Sequence, residues 1–222
     1  MSLKPSFLVS MLFLVAESVL YYFVLTAGGD LLVYTSFFAI VLCFLHVLLH
    51  IKTCDKWVLG AMACTVMADL CLVVCSPIQR LWGMVFFLMA QSLYAAKLHL
   101  AYKAKGFLYV RILLILIALS ITVIVLKNNT DVLALVSLCY YANLIFNIVM
   151  AFSLWKTDKL FPIALVLFLL CDTVIGLQVA SGAYLPISED SWLYRIIFMG
   201  FNLSWFFYLP SQVLISLSGK KK

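Results

Sequence analysis

Charged side chains are scarce in this chain. Only 11% of its 222 residues are Asp, Glu, Lys or Arg, against 66% hydrophobic, and the mean hydropathy is +1.16. Soluble domains carry about 25% charge and about 45–50% apolar residues, so this balance excludes a water-soluble fold and points to an integral membrane protein. Long polar stretches are missing too, which leads us to expect one integral membrane domain over 1–222 with no soluble appendage. The seven cysteines contain no C-x-x-C pair. Cys43, Cys64, Cys71, Cys75, Cys139 and Cys171 fall in apolar runs and Cys54 in a short loop, so they read as packing residues. Gly-rich phosphate loops, a G-x-S-x-G elbow and a Ser-His-Asp order are all lacking. The first apolar run passes through Tyr21 and Tyr22 without a small-residue cleavage site, so it is expected to stay as a helix.

What is present is a series of apolar stretches of bilayer length. They run from about 7–27, 31–51, 57–75, 81–99, 107–126, 132–155, 160–179 and 191–217, which predicts an all-α polytopic membrane helix bundle with eight transmembrane helices. Lys4, Lys52, Lys56, Lys97, Lys103, Lys105, Arg111, Lys156, Lys159 and Lys220 to Lys222 then share one face, and Arg80, Lys127 and Arg195 the other. By the positive-inside rule the first face is cytoplasmic, and so are both termini. The net charge of +6 thus sets topology and supports no nucleic-acid partner. Asn128 to Thr130 forms a glycosylation sequon, but in an outer loop too short and too close to the membrane for use. Trp57, Trp82, Trp155, Trp192 and Tyr194 suit interfacial belts. The expected location is a bacterial inner membrane or an ER-type membrane.

Three acids fall inside the apolar runs: Glu17, Asp69 and Asp172. A carboxylate in hydrocarbon costs from about 2.5 to above 10 kcal/mol, so such groups face a bundle interior and mark functional sites. Asp69 and Asp172 each end a thirteen-residue apolar approach from a lysine-bearing loop, which sets them at matched depth. Two carboxyls sharing a low-dielectric cavity cannot both ionise cheaply, so one holds a proton while the other stays charged. That suits metal-free, cofactor-free hydrolysis, and it suits proton-coupled transport equally well. Each acid helix is followed by an aromatic-Leu-x-small-Gln segment, Phe87 to Gln91 and Tyr208 to Gln212, a faint parallel repeat. His46 and His50 lie four residues apart near the same end as His99. Three histidines suit a zinc site, but interfacial snorkelling or lipid contact is the simpler expectation for these.

The segments holding the acids resemble the lysoplasmalogenase-like (YhhN) family of eight-span membrane proteins. The resemblance rests on Gly60 to Ala63 leading to Ala68-Asp69, on Gly83 to Phe87 leading to Gln91 and Tyr94, on Phe168 to Asp172, and on Tyr208 to Gln212-Val213-Leu214-Ile215. It implies hydrolysis of the vinyl ether bond of a lysophospholipid, with Asp69 and Asp172 catalytic and Gln91, Tyr94, Tyr208, Gln212 and Glu17 lining the substrate site. The chain departs from the family pattern at Ala68 (usually Gly), Cys171 (usually Ser) and Gln91 (usually His), and its second span has no lysine. A histidine-dependent step therefore does not carry over. A proton-coupled small-solute or lipid transporter, a metal-dependent hydrolase using His46, His50 and His99, and an inactive lipid-binding homologue stand beside the hydrolase reading. The expected partners are a lysophospholipid or similar amphiphile and membrane lipid; the oligomeric state is left open.

Overall fold

The computed structural model describes residues 5–75, 79–102, 105–126, 132–183 and 187–219, and the elements among them are all helices, as expected. They are α1 (Pro5–Thr26), α2 (Gly29–Leu49), α3 (Lys56–Asp69) extended by a π-turn (Leu70–Val74), α4 (Arg80–Tyr102) and α5 (Lys105–Leu126). Then come α6 (Val132–Phe152), α7 (Leu160–Ala183), α8 (Trp192–Ile197) and α9 (Leu203–Ser218). The sequon, Lys4, Lys103, Lys127 and Lys220 to Lys222 lie outside the described residues.

Among the described residues six helices (α1 to α4, α6 and α7) are long and apolar enough to cross a membrane. Their boundaries follow local chemistry. Gly29 opens α2 at φ +59, a left-handed conformation that suits glycine and makes the turn from α1 short. The Asp55 carboxylate accepts from Trp57 N at 3.0 Å to cap α3. Asp158 Oδ1 accepts from Leu160 N and Phe161 N at 3.1 and 3.2 Å to start α7.

Two expectations need correction. The last apolar run, 191–217, is not one helix: it breaks between Ile197 and Leu203 into the six-residue α8 and the sixteen-residue α9. Asn202 makes the break, its Oδ1 accepting from Trp205 N at 3.4 Å and from Ser204 Oγ at 2.7 Å as an N-cap. Gln178 Nε2 of α7 donates to Ile197 O at 2.7 Å and fixes the end of α8. Further along α9, Pro210 has no N–H to offer the carbonyl of Phe206, and the Tyr21 hydroxyl of α1 donates to that oxygen instead, at 3.1 Å. Arg111 is the second correction. It does not sit at the interface with the lysines; its side chain turns into the bundle and is only 9% exposed.

In the packed bundle, α3 lies on α4, α4 on α6, α6 on α7, and α7 most extensively on α9, which also touches α1, α2 and α3. α5 leans on α6 and touches α4 only lightly. At one end Asp55 N donates to Gly219 O at 2.7 Å, and Lys97 stands 3.8 Å from Asp158 and 3.9 Å above the Phe161 ring. We call this the basic end. Gly83 allows the closest approach in the bundle: a Cβ there would lie 2.4 Å from Leu72 Cγ, so the π-turn seats its leucine directly on the α4 backbone.

Candidate active site

Asp69 is the last α-helical residue of α3, immediately before the π-turn, a geometry that frequently marks functional positions. Its side chain is 3% exposed and its Oδ2 accepts from the Tyr208 hydroxyl of α9 at 2.6 Å. Asp172, half-buried on α7, accepts from the Tyr140 hydroxyl of α6 through Oδ2. Four helices thus supply two Asp–Tyr pairs.

Rings close the space between those pairs. Phe168 lies 5.4 Å from Tyr208 and 6.4 Å from Tyr140, and Phe87 lies 6.3 Å and 5.7 Å from the same two rings. Phe87 and Phe168 are themselves 5.6 Å apart in an edge-to-face contact. The matched depth read from the sequence therefore corresponds to one layer in space. Phe87 and Tyr208, which head the two repeat segments, meet in that layer, and the glutamines that end those segments are both fully buried.

The other expected site residues take different places. Glu17 is 3% exposed between α1 and α2, where its Oε1 accepts from Cys43 Sγ at 3.3 Å while Oε2 has no partner. Tyr94 points away toward the basic end, its hydroxyl 3.8 Å from Met62 Sδ and its ring 5.4 Å from Phe161. Gln212 is fully buried with neither amide atom partnered. Gln91 accepts from Asn147 Nδ2 through both its backbone oxygen (2.8 Å) and Oε1 (2.9 Å), leaving its own Nε2 without a partner.

His46 does not snorkel. It is 2% exposed, stacked on Phe13 at 4.2 Å with its Nε2 3.2 Å from Ser10 Oγ. His50 lies 4.7 Å from His46, ring to ring, and bonds the His46 carbonyl through Nδ1 at 2.9 Å. Burial excludes the lipid-headgroup role for His46. Among the described residues no group of three or more His, Cys, Asp or Glu is placed to hold a metal ion.

Sequence reasoning passed over Tyr140, Asn143, Asn147 and Arg111. A signal was available: Tyr140, Asn143 and Asn147 fall at i, i+3 and i+7, one face of an otherwise apolar helix. Arg111 Nη2 donates to Asn147 Oδ1 at 2.6 Å, and its guanidinium lies 4.7 Å from the Phe146 ring. Hence α4, α5 and α6 share a buried chain of Gln91, Asn147 and Arg111.

Two cavities among the described residues lie away from the aspartates. One, of about 470 Å³, opens at the end away from the lysines and is lined by Thr26, Gln178, Phe201, Asn202 and Ser204 among others. Gln178 is six residues beyond Asp172, about 9 Å further along the axis of α7. The other, of about 520 Å³, is an apolar groove of α1 and α2 around Leu20, Tyr34 and Phe38.

A model described as the YhhN family matches residues 32–219, from the start of α2 through the end of α9 and including both Asp–Tyr pairs. No curated protein and no solved structure matches the chain.

Proposed function

Because this chain belongs to the YhhN family of membrane proteins, we propose that it is a lysoplasmalogenase-like hydrolase that cleaves the vinyl ether bond of an ether lysophospholipid with Asp69 and Asp172. The observation that carries this reading is that two carboxyls from separate helices, each held by its own tyrosine, face a common aromatic layer. A vinyl ether hydrolyses when a proton adds to the alkene carbon that does not bear the oxygen, giving an oxocarbenium ion. Water then adds to the cationic carbon, and the hemiacetal collapses to a fatty aldehyde and the glycerol alcohol. Asp69, the more enclosed acid, delivers the proton to carbon. Asp172, which keeps some exposure, orients the water, takes its proton and stabilises the cation. The cavity at Gln178 and Ser204 lies on the water's shortest route from that end of the bundle.

Tyr140 and Tyr208 each donate to one oxygen of an acid and so fix which oxygen meets the substrate. Phe87 and Phe168 fill the gap, so the alkenyl chain enters by displacing these rings, and their apolar edges then line it. Gln91, Tyr94, Gln212 and Glu17 belong to the surrounding walls. Eight crossings with both termini cytoplasmic remain the arrangement that best suits the charge distribution, with α8 and α9 together forming the last.

The test is aldehyde release from a lysoplasmalogen by purified protein in detergent or liposomes. Asp69→Asn and Asp172→Asn should each reduce turnover at least a hundredfold with the fold intact. Wild-type turnover in both variants refutes the mechanism. Uptake of unchanged lipid driven by a pH gradient, without aldehyde, would favour the transporter.

A further inference from the structure

Arg111 is a positive charge buried among apolar helices. Among the described residues the one ion pair is Lys97 with Asp158, so no described carboxylate balances Arg111. Its partners are the neutral Asn147 Oδ1, the Met150 sulfur at 3.6 Å and the Phe146 face. A buried, uncompensated cation is costly, and a ligand anion would remove that cost. Beside it, Gln91 is fully buried with an Nε2 donor that has no partner. One turn from Asn147, Asn143 is 4% exposed and its Oδ1 acceptor also has no partner.

These groups stand in order along one face of α6. Asn147 lies at the Arg111 level, Asn143 about 6 Å further from the basic end, and Tyr140, which bonds Asp172, about 4.5 Å beyond that. From α4, Gln91 lies about 6 Å below Phe87 of the aromatic layer. A cation and an unused N–H donor, then an unused acceptor, then the paired acids form a sequence of polar sites. It matches the order phosphate, free secondary hydroxyl, vinyl ether along a lysophospholipid.

We propose that Arg111, Asn147 and Gln91 form an internal site for the phosphodiester of the substrate headgroup, and that Asn143 accepts the hydrogen bond of the free hydroxyl on the middle glycerol carbon. The assignment rests on the hydrolase reading for its orientation, since the alkenyl bond is placed at the aspartates. α5 closes the site on the bilayer side and is held mainly by α6, so the headgroup reaches Arg111 between α4 and α5. The hydroxyl contact gives a physical reason for preferring a lysolipid. A diacyl-type lipid has no donor there and leaves the buried Asn143 oxygen unpaired.

The test uses binding rather than turnover, so its failure is distinguishable from failure of the hydrolysis. The probe is a saturated-ether lysophospholipid, which has no vinyl bond to cleave, compared with a monoalkylglycerol of the same chain length. The purified full-length protein should bind the phosphate-bearing probe at least tenfold tighter, and Asp172→Asn should keep that preference. Arg111→Gln should reduce it to within twofold. Asn147→Asp, which supplies Arg111 with an internal counter-charge, should do the same, with the Asn143→Ala variant keeping the phosphate preference as the check against simple misfolding. Asn143→Ala should remove the preference for the free hydroxyl over its methyl ether. Millimolar inorganic phosphate raising the Tm of the unmodified chain but not of Arg111→Gln supports the same site filled from solution. Equal affinity for both probes with no effect of phosphate, or an unchanged preference in both Arg111→Gln and Asn147→Asp, overturns the proposal.

Discussion

Tyr208→Phe removes one oxygen from the bundle and leaves the ring packing in place. The lost hydroxyl donates to Asp69 Oδ2 at 2.6 Å inside a site where Asp69 is 3% exposed. No solvent replaces it there. Removing one partner of a buried hydrogen bond leaves the other unsatisfied at a cost of about 1–3 kcal/mol. If the bond aims the proton donor, that loss appears in the barrier as about a 5- to 160-fold fall in kcat at roughly 1.36 kcal/mol per decade, with KM little changed. The assay is aldehyde release under saturating lysoplasmalogen, with Tm measured alongside to separate aim from unfolding. Tyr140→Phe should fall in the same range, because it frees Asp172 in the same way. The double variant is the sharper measurement. Tyr140 and Tyr208 share Phe87 and Phe168 as ring neighbours, so the two losses should be non-additive by at least about 0.5 kcal/mol. Full kcat in Tyr208→Phe alongside an inert Asp69→Asn would show that the hydroxyl positions nothing. Strict additivity would show two independent acids rather than a pair.

Gly83→Ala places a methyl 2.4 Å from Leu72 Cγ and 2.7 Å from its Cδ2, so the π-turn must shift; we expect a loss of about 1–3 kcal/mol in thermal stability and a parallel loss of turnover as Asp69 moves. Glu17→Gln keeps the shape and removes a carboxylate that is 3% exposed and half partnered, so Tm should rise while turnover stays within threefold; a hundredfold loss would put Glu17 in the chemistry. Tyr21→Phe strands the Phe206 carbonyl that Pro210 leaves unbonded and should cost about 1–2 kcal/mol, read as a lower Tm. Asn202→Ala removes the cap of α9 at a cost of about 0.5–2 kcal/mol, and hydrogen exchange should speed first at Ser204 and Trp205.

Hydropathy and break chemistry made most of the helices legible, because a lipid-spanning run needs length and its ends need caps, as at Asp55 and Asp158. The matched depth of Asp69 and Asp172 survived into three dimensions for the same reason: a fixed rise per residue turns sequence spacing into depth. The last span misled because apolar content runs unbroken through Ile197 to Phe201, while the break depends on one asparagine turning its oxygen to a backbone N–H. Arg111 misled because a charge count reads net sign and not side-chain direction. Tyr208 was among the expected site residues, but Tyr140, the partner of Asp172, escaped notice because tyrosine is ordinary in apolar runs. Only the asparagines sharing a face with Tyr140 set it apart.

At sixteen residues α9 spans about 24 Å, several ångströms short of the roughly 30 Å hydrocarbon slab its neighbours cross. Lipid against that flank must thin, or the hinge at Phe198–Asn202 must carry headgroups and water downward, to make up the mismatch. Tyr208 lies only five residues into α9, so this hinge is about 9 Å along the helix from the residue that anchors Asp69. Membrane thickness itself then becomes a determinant of rate: reconstitution in short-chain lipids should speed aldehyde release and long-chain lipids should slow it.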